Sequence, residues 1–301
     1  MAGGAMARAG EILAEPPPAG RHILIAGPTG SGKSALALTL AEELGGTVVN
    51  ADALQVFSGW RILTARPGAE DLTRAEHRLY GHVPPEEAYS VGHWLRDMGP
   101  LLGSGERLIV VGGTGLYFTA LTEGLAEIPP TPAEVRAEAD GMTLPALVEG
   151  LDEASRAGLD LANRARVQRA WEVLRSTGEG ISAWQARTPP PLLPLEEAAA
   201  YVMESPPDWL APRLARRFEA MLAEGLLEEG EAMRPGFSPA HPASKAIGAV
   251  ELIAHLEGRL TLEELREAVL TLSRQYAKRQ RSWFRARMGG WRWLPVEGAE
   301  G

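Results

Sequence analysis

The chain has 301 residues, 45% of them hydrophobic, with no cysteine and a formal net charge of −9. That length and apolar content suit one large or two modest domains with a real core, and the missing cysteine excludes disulfides, thiolate zinc sites and a cysteine nucleophile while agreeing with a reducing cytoplasm. No apolar run reaches membrane-spanning length, and the overall acidity argues against a nucleic-acid binder unless bases are concentrated locally.

Taken in chain order, Met1–Gly20 is rich in Ala, Gly and Pro and ends in Pro16-Pro17-Pro18. It lacks the apolar core of a secretory signal, and we expect a disordered leader, with Met6 available as an alternative start. Arg21–Ala26 then reads as a short buried strand and Ala35–Leu44 as a helix that stops at Gly45-Gly46. Between them stands GPTGSGKS, Gly27, Pro28, Thr29, Gly30, Ser31, Gly32, Lys33 and Ser34. This is the G-x-x-x-x-G-K-[ST] phosphate loop in its proper strand-to-helix setting: the glycines let backbone N–H groups turn toward an anion, Lys33 reaches the outer phosphates, and the Ser34 hydroxyl is the expected Mg²⁺ ligand.

Thr47–Ala51 reads as a second strand ending at Asp52, and Arg107–Val111 as a third ending in Gly112-Gly113-Thr114-Gly115. Strand and helix in alternation imply an α/β fold with a P-loop-containing parallel sheet flanked by helices, and ligands in such sheets bind at the carboxyl ends of the strands. The loop, Asp52 and Gly112–Gly115 should therefore converge. From Glu134 onward strand signals nearly vanish, so an additional, mainly helical portion is expected, with segments near 144–157, 163–177, 211–230 and 261–287. Pro189-Pro190-Pro191 and Pro206-Pro207 read as connections.

Near the end, Arg274–Arg287 has no acidic residue and interleaves bases with aromatics. An RNA-facing surface and a merely solvated basic face fit it equally well. The loop likewise fits more than one chemistry. A small-molecule kinase would use ATP, with Asp52 as base and Arg213, Arg216 or Arg217 on a lid; the strand that would carry an ATPase's acidic residue ends here in Gly112-Gly113.

Five blocks in one chain narrow the choice. The phosphate loop is followed by NADALQVFSGWRILTARP (50–67), VGGTGLYFTALTEGL (111–125), AIGAVELIAHLEGRLTLEEL (246–265) and RQYAKRQRSWF (274–284). Together they resemble the tRNA dimethylallyltransferase family over roughly residues 21–294. The resemblance implies transfer of a dimethylallyl group from dimethylallyl diphosphate to N6 of adenosine 37 in the tRNA anticodon stem-loop, by a cytoplasmic enzyme that we expect to be monomeric and free of any membrane. It implies Asp52 as general base, Thr114 near the reacting pair, and Arg217 completing a clamp of Gly27–Ser34 and Mg²⁺ on the leaving diphosphate. By the same resemblance tRNA contacts fall on Asp52, Ala53, Leu54, Gln55, Thr114 and Arg136, on Ala165, Arg166, Val167, Gln168 and Arg169, and on Lys245, Ala246, Ile247, Gly248, Ala249 and Val250.

The chain departs from the family pattern at Ala53 (often Ser), Ala249 (often Tyr) and Pro207 (a family Arg position), and 126–163 is short for the family. The organisation we expect is a leader to residue 20, a P-loop core over 21–132, an inserted tRNA-contacting helical region over 133–200, a helical part over 201–294 that completes core and RNA groove, and a tail. A prenyltransferase of free adenine nucleotides, a small-molecule kinase and an RNA-binding protein with a relic P-loop are the rival readings.

Overall fold

The computed structural model describes residues 3–296. The chain divides into a larger unit, Met1–Thr122 with Leu193–Gly301, and a smaller one, Glu123–Leu192. No helix among the described residues is long and apolar enough to cross a membrane.

The larger unit is built on six parallel strands, β1 (His22–Ala26), β2 (Thr47–Asn50), β3 (His77–Arg78), β4 (Leu108–Gly112), β5 (Ala198–Met203) and β6 (Arg292–Leu294), in the order β3-β2-β4-β1-β5-β6. The central strands are near-continuous apolar runs because helices cover both faces. The period of two sorts their side chains: Ile23 and Ile25 of β1, Ile109 and Val111 of β4 and Tyr201 and Met203 of β5 pack with Leu36 and Leu40 of the P-loop helix, Lys33–Leu44. Leu24, Ala26, Val110 and Val202 pack on the opposite face with Trp94, Phe118, Phe284 and Trp291. The three strands expected from sequence are β1, β2 and β4. β3, β5 and β6 were not foreseen; β5 pairs directly with β1, so the parallel sheet runs into the region expected to be helical.

The leader expectation is corrected for its described part. Gly3–Ala14 is a helix, with Ala9 and Ile12 buried in the Ile23–Leu36 cluster and Glu11 paired with Arg292. Met1 and Ala2 lie outside the described residues, as do 297–301 of the expected tail.

The smaller unit holds helices Ala133–Gly141, Leu144–Glu149, Glu153–Gly158, Arg164–Thr177 and Ile181–Ala186 around Ala139, Leu147, Val167, Ala170 and Trp171. The single helix expected over 144–157 is two, because the Asp152 carboxylate accepts from the Ser155 N–H and starts a new one. This unit spans 123–192, where sequence suggested 133–200.

Candidate active site

The phosphate loop is held both by bonds within it and by bonds from the surrounding elements. The Gly27 N–H donates to the Gly112 carbonyl and the Ser31 N–H to the Pro28 carbonyl, while Gly30 and Gly32 have φ of 79° and 86°, which favours glycine. The Thr29 N–H donates to Gln280 Oε1 at 2.9 Å, and Arg213 Nε donates to the Gly30 carbonyl at 3.1 Å. The amides of Gly30, Gly32, Lys33 and Ser34 keep no partner among the described residues, which leaves them as donors for an anion at the start of the helix.

Asp52 follows β2 in a turn built around Asn50. Asn50 is fully buried: its Oδ1 accepts from the Asp52 N–H, and its Nδ2 donates to the carbonyls of Asp52 and Leu79. The Trp94 indole donates to the Asn50 carbonyl. Asp52 in turn uses Oδ1 to accept from the Leu54 N–H. The next strand end packs tightly against this turn. A Cβ at Gly112 would lie 2.0 Å from the Ala51 carbonyl oxygen, so only glycine fits there. Thr114 receives the Ala53 N–H on Oγ1 and donates its own N–H to the Ala51 carbonyl.

Two long helices, Pro207–Glu224 and Leu262–Arg287, complete the site. Arg217, from the first, is half-buried; burial lowers its pKa, and the Asp52 charge opposes that. Lys33 feels the same neighbours: burial pushes it down to about 8, with Asp52 favouring and Arg217 opposing its charge. From the second helix, Gln280 is buried and donates Nε2 to the Gly113 carbonyl at 3.0 Å while accepting from Thr29. A Cβ at Gly115 would strike the Trp283 ring. Burial raises the Tyr276 phenol, and Asp52 raises it further. Asn50, Gln280 and Tyr276 are polar residues that sequence reading did not single out for the site, although all three lie in the quoted blocks.

The loop, Asp52, Arg213, Arg217 and Tyr276 line a cavity of about 350 Å³. Its lining combines polar side chains, Thr29, Lys33, Ser34, Asp52, Arg213 and Arg217, with apolar ones, Ile62, Leu63, Leu214, Phe218, Met221 and Val269. The expected convergence of loop and strand ends is thus present, with Asp52 and Arg217 on one cavity. No cluster of three His, Cys, Asp or Glu side chains suited to hold a metal occurs among the described residues. The hard oxygens of Ser34 and Asp52 suit Mg²⁺, provided phosphate oxygens and water complete its shell.

The residues expected at RNA are dispersed. Leu54, Gln55 and Ile247 line the cavity, and Gln55 Nε2 donates to the carbonyls of Thr64 and Ala65. Lys245 and Val250 are exposed, whereas Ala246, Gly248 and Ala249 are buried. In the smaller unit Ala165 and Arg166 are exposed, and Val167 faces the core. Arg136 pairs with the buried Glu172 at 3.0 Å, Gln168 donates to Asp140 and Glu172, and Arg169 donates to Thr131.

The family model described as IPP transferase matches residues 55–287, and the TIP49 P-loop domain model matches 2–59. The chain is 59% identical over 274 residues to the tRNA dimethylallyltransferase of Ruegeria sp. (strain TM1040), covering 91% of this chain and 95% of that protein. Among solved structures it resembles a tRNA isopentenylpyrophosphate transferase from Staphylococcus epidermidis, with a TM-score of 0.63 and 28% identity over 92% of this chain and 93% of the other. It also resembles a eukaryotic dimethylallyltransferase captured acting on tRNA, with a TM-score of 0.77 and 26% identity over 91% and 73% of the two chains.

Proposed function

The chain belongs to the tRNA dimethylallyltransferase family, a family of prenyl-transferring enzymes, and from that premise we propose that it transfers the dimethylallyl group of dimethylallyl diphosphate to N6 of adenosine 37 in the tRNA anticodon stem-loop. The observation that carries the reading is a single cavity lined both by the phosphate loop and by apolar side chains, with Asp52 and Arg217 on the same lining. A prenyl diphosphate likewise combines a charged head with a five-carbon apolar tail.

In the proposed step the allylic C–O bond breaks, the adenine N6 bonds to that carbon, and the N6 proton passes to an Asp52 oxygen as diphosphate leaves. The amine is a weak nucleophile whose proton becomes acidic only as the C–N bond forms, so a carboxylate can take it late in the step. Charge grows on the leaving diphosphate, so donors fixed beforehand lower the barrier more than they strengthen ground-state binding. The amides of Gly30, Gly32, Lys33 and Ser34, the Lys33 ammonium and the Arg217 guanidinium fill that role. Ser34, together with diphosphate oxygens, would hold Mg²⁺, which supplies further positive charge. Thr114, by fixing the Ala53 amide, steadies the turn that carries Asp52.

The adenine must leave its stack to reach the cavity. We assign the tRNA backbone to the exposed bases Arg274, Lys278, Arg279 and Arg285 of the last helix and to Lys245, with Arg166 of the smaller unit as a further contact. We further propose action in the cytoplasm as a monomer. The kinase reading is not favoured, since the family transfers prenyl groups.

The test incubates the protein with unmodified tRNA, Mg²⁺ and dimethylallyl diphosphate, followed by nuclease digestion and mass spectrometry for N6-dimethylallyladenosine. Product that disappears with Asp52→Ala supports the reading. ATP consumption with unchanged tRNA, or bound tRNA without product, rejects it.

A further inference from the structure

The N-terminal helix brings one side chain to the phosphate loop. Arg8 is 4% exposed, and its guanidinium donates to three backbone carbonyls from distant parts of the larger unit: Ser31 in the loop (Nη1, 3.1 Å), Glu204 just after β5 (Nη2, 2.6 Å) and Pro295 just after β6 (Nε, 2.9 Å). Its Cζ also lies 5.5 Å from the centre of the Trp209 ring. The same ring carries the Arg213 guanidinium at 4.2 Å, and Arg213 holds the Gly30 carbonyl. Two arginines on one indole therefore hold two consecutive carbonyls of the loop.

A trans peptide is planar, so fixing the carbonyl on one side fixes the N–H on the other. Holding the Ser31 carbonyl sets the direction of the Gly32 N–H, one of the loop amides that keeps no partner among the described residues. The Gly30 carbonyl shares its peptide with the Ser31 N–H, which is already bonded to Pro28. Arg8 thus acts on a peptide whose amide is still available to a ligand. A lysine in its place would offer an ammonium on a flexible stem, without the planar fork that spans three carbonyls.

We propose that Arg8 is a positioning residue for the phosphate loop: by holding the Ser31 carbonyl it presents the Gly32 amide to the diphosphate, and the N-terminal helix is thereby part of the binding apparatus. The inference rests on the proposed function in taking a diphosphate as the ligand, but its test does not need turnover.

The experiment titrates the full-length protein with inorganic pyrophosphate and Mg²⁺ by calorimetry, for the wild type, Arg8→Met, Arg8→Lys and the same-helix control Glu11→Gln. Melting curves and KM values for each substrate are measured alongside. Arg8→Met is expected to weaken pyrophosphate binding by about tenfold, the scale of a lost charge-assisted hydrogen bond. It should raise the KM for prenyl diphosphate while the KM for tRNA stays the same; Arg8→Lys should fall between, and Glu11→Gln should match the wild type. A folded Arg8→Met that melts lower yet binds pyrophosphate as the wild type does would overturn the proposal, reducing Arg8 to fold support. If Arg8→Met does not fold, Arg8→Lys decides by the same criterion. Arg8-dependent pyrophosphate binding in a protein that does not prenylate tRNA would support this inference and remove the function proposed above. Prenylation with Arg8-independent pyrophosphate binding would do the reverse, and a wild type that binds no pyrophosphate overturns both.

Discussion

The helices Pro207–Glu224 and Leu262–Arg287 both wall the cavity, yet only the first contributes arginines to its lining. The first turns Arg213 and Arg217 inward, onto the Gly30 carbonyl and beside Asp52. The second keeps Arg274, Lys278, Arg279, Arg285 and Arg287 exposed and turns Tyr276, Gln280 and Trp283 inward. The difference follows from what each meets. A phosphate site needs fixed positive charge, whereas the packed glycine turn Gly112–Gly115 needs neutral donors and acceptors in a dry contact, where an unpaired charge would be costly.

Arg217→Gln sharpens this contrast most. We expect kcat to fall by about 10²- to 10³-fold, the usual cost of one preorganised donor to a developing anion, with the KM for tRNA unchanged. Single-turnover transfer measures it, and a loss below tenfold would mean that this helix is a wall rather than a clamp.

The same helix helps set the pH dependence, because Arg217 adds to the burial that brings Lys33 down to about 8. Below that pH Lys33 is charged and above it neutral. The kcat/KM for prenyl diphosphate should therefore fall about tenfold per pH unit above the break. A bound anion favours the charged lysine, so the break in kcat should lie at higher pH. A kcat/KM that stays flat to high pH would show that the Lys33 charge is not needed.

For the second helix, Gln280→Ala orphans the Thr29 N–H and the Gly113 carbonyl. It should destabilise the protein by about 1–3 kcal/mol and lower kcat/KM by about tenfold. Gln280→Glu, which faces the Gly113 carbonyl with a carboxylate, should do no better. Melting and steady-state assays on both variants check this; a variant of normal stability and rate would remove the neutral bridge from the argument.

The smallest effect belongs to the outer face. Replacing Arg274, Lys278 and Arg285 together by Gln should raise the KM for tRNA a few-fold and flatten its salt dependence by about 2–3 in log–log slope, leaving kcat intact. An unchanged salt slope would identify that face as merely solvated.

The parts of the fold legible in sequence were those with a local signature. The loop between β1 and its helix has fixed spacing, and β2 and β4 are short apolar runs ending in Asp52 and Gly112. β5 was hidden because Ala198-Ala199-Ala200 reads as a helix former, and a short buried run has no period to separate strand from helix. β3 and β6 have only two and three residues. Among its described side chains the N-terminal helix buries only Arg8, Ala9 and Ile12, too little apolar pattern in an Ala- and Gly-rich stretch to distinguish it from a leader. Lys33 and Asp52 were legible from the loop spacing and a strand end, whereas Arg217 was singled out from Arg213 and Arg216 only by the family resemblance. The apolar wall of the site was not legible: Leu214, Phe218 and Met221 share one face of Pro207–Glu224, but Ile62 and Val269 come from other segments, and no local pattern brings those segments together. Gln280 was read as part of a basic stretch, and only its burial reveals its two backbone partners.

The strand order also governs how the protein comes into being on the ribosome. β1 lies between β4 and β5, and the loop after β1 takes the Thr29 bond from Gln280 on the last helix. At roughly 5–20 residues per second, synthesis needs on the order of tens of seconds to travel from β1 to Gln280. During that interval the nascent chain carries a phosphate loop in sequence but not its complete set of braces. Ligand capture is therefore a property that the polypeptide acquires almost at the end of its own translation.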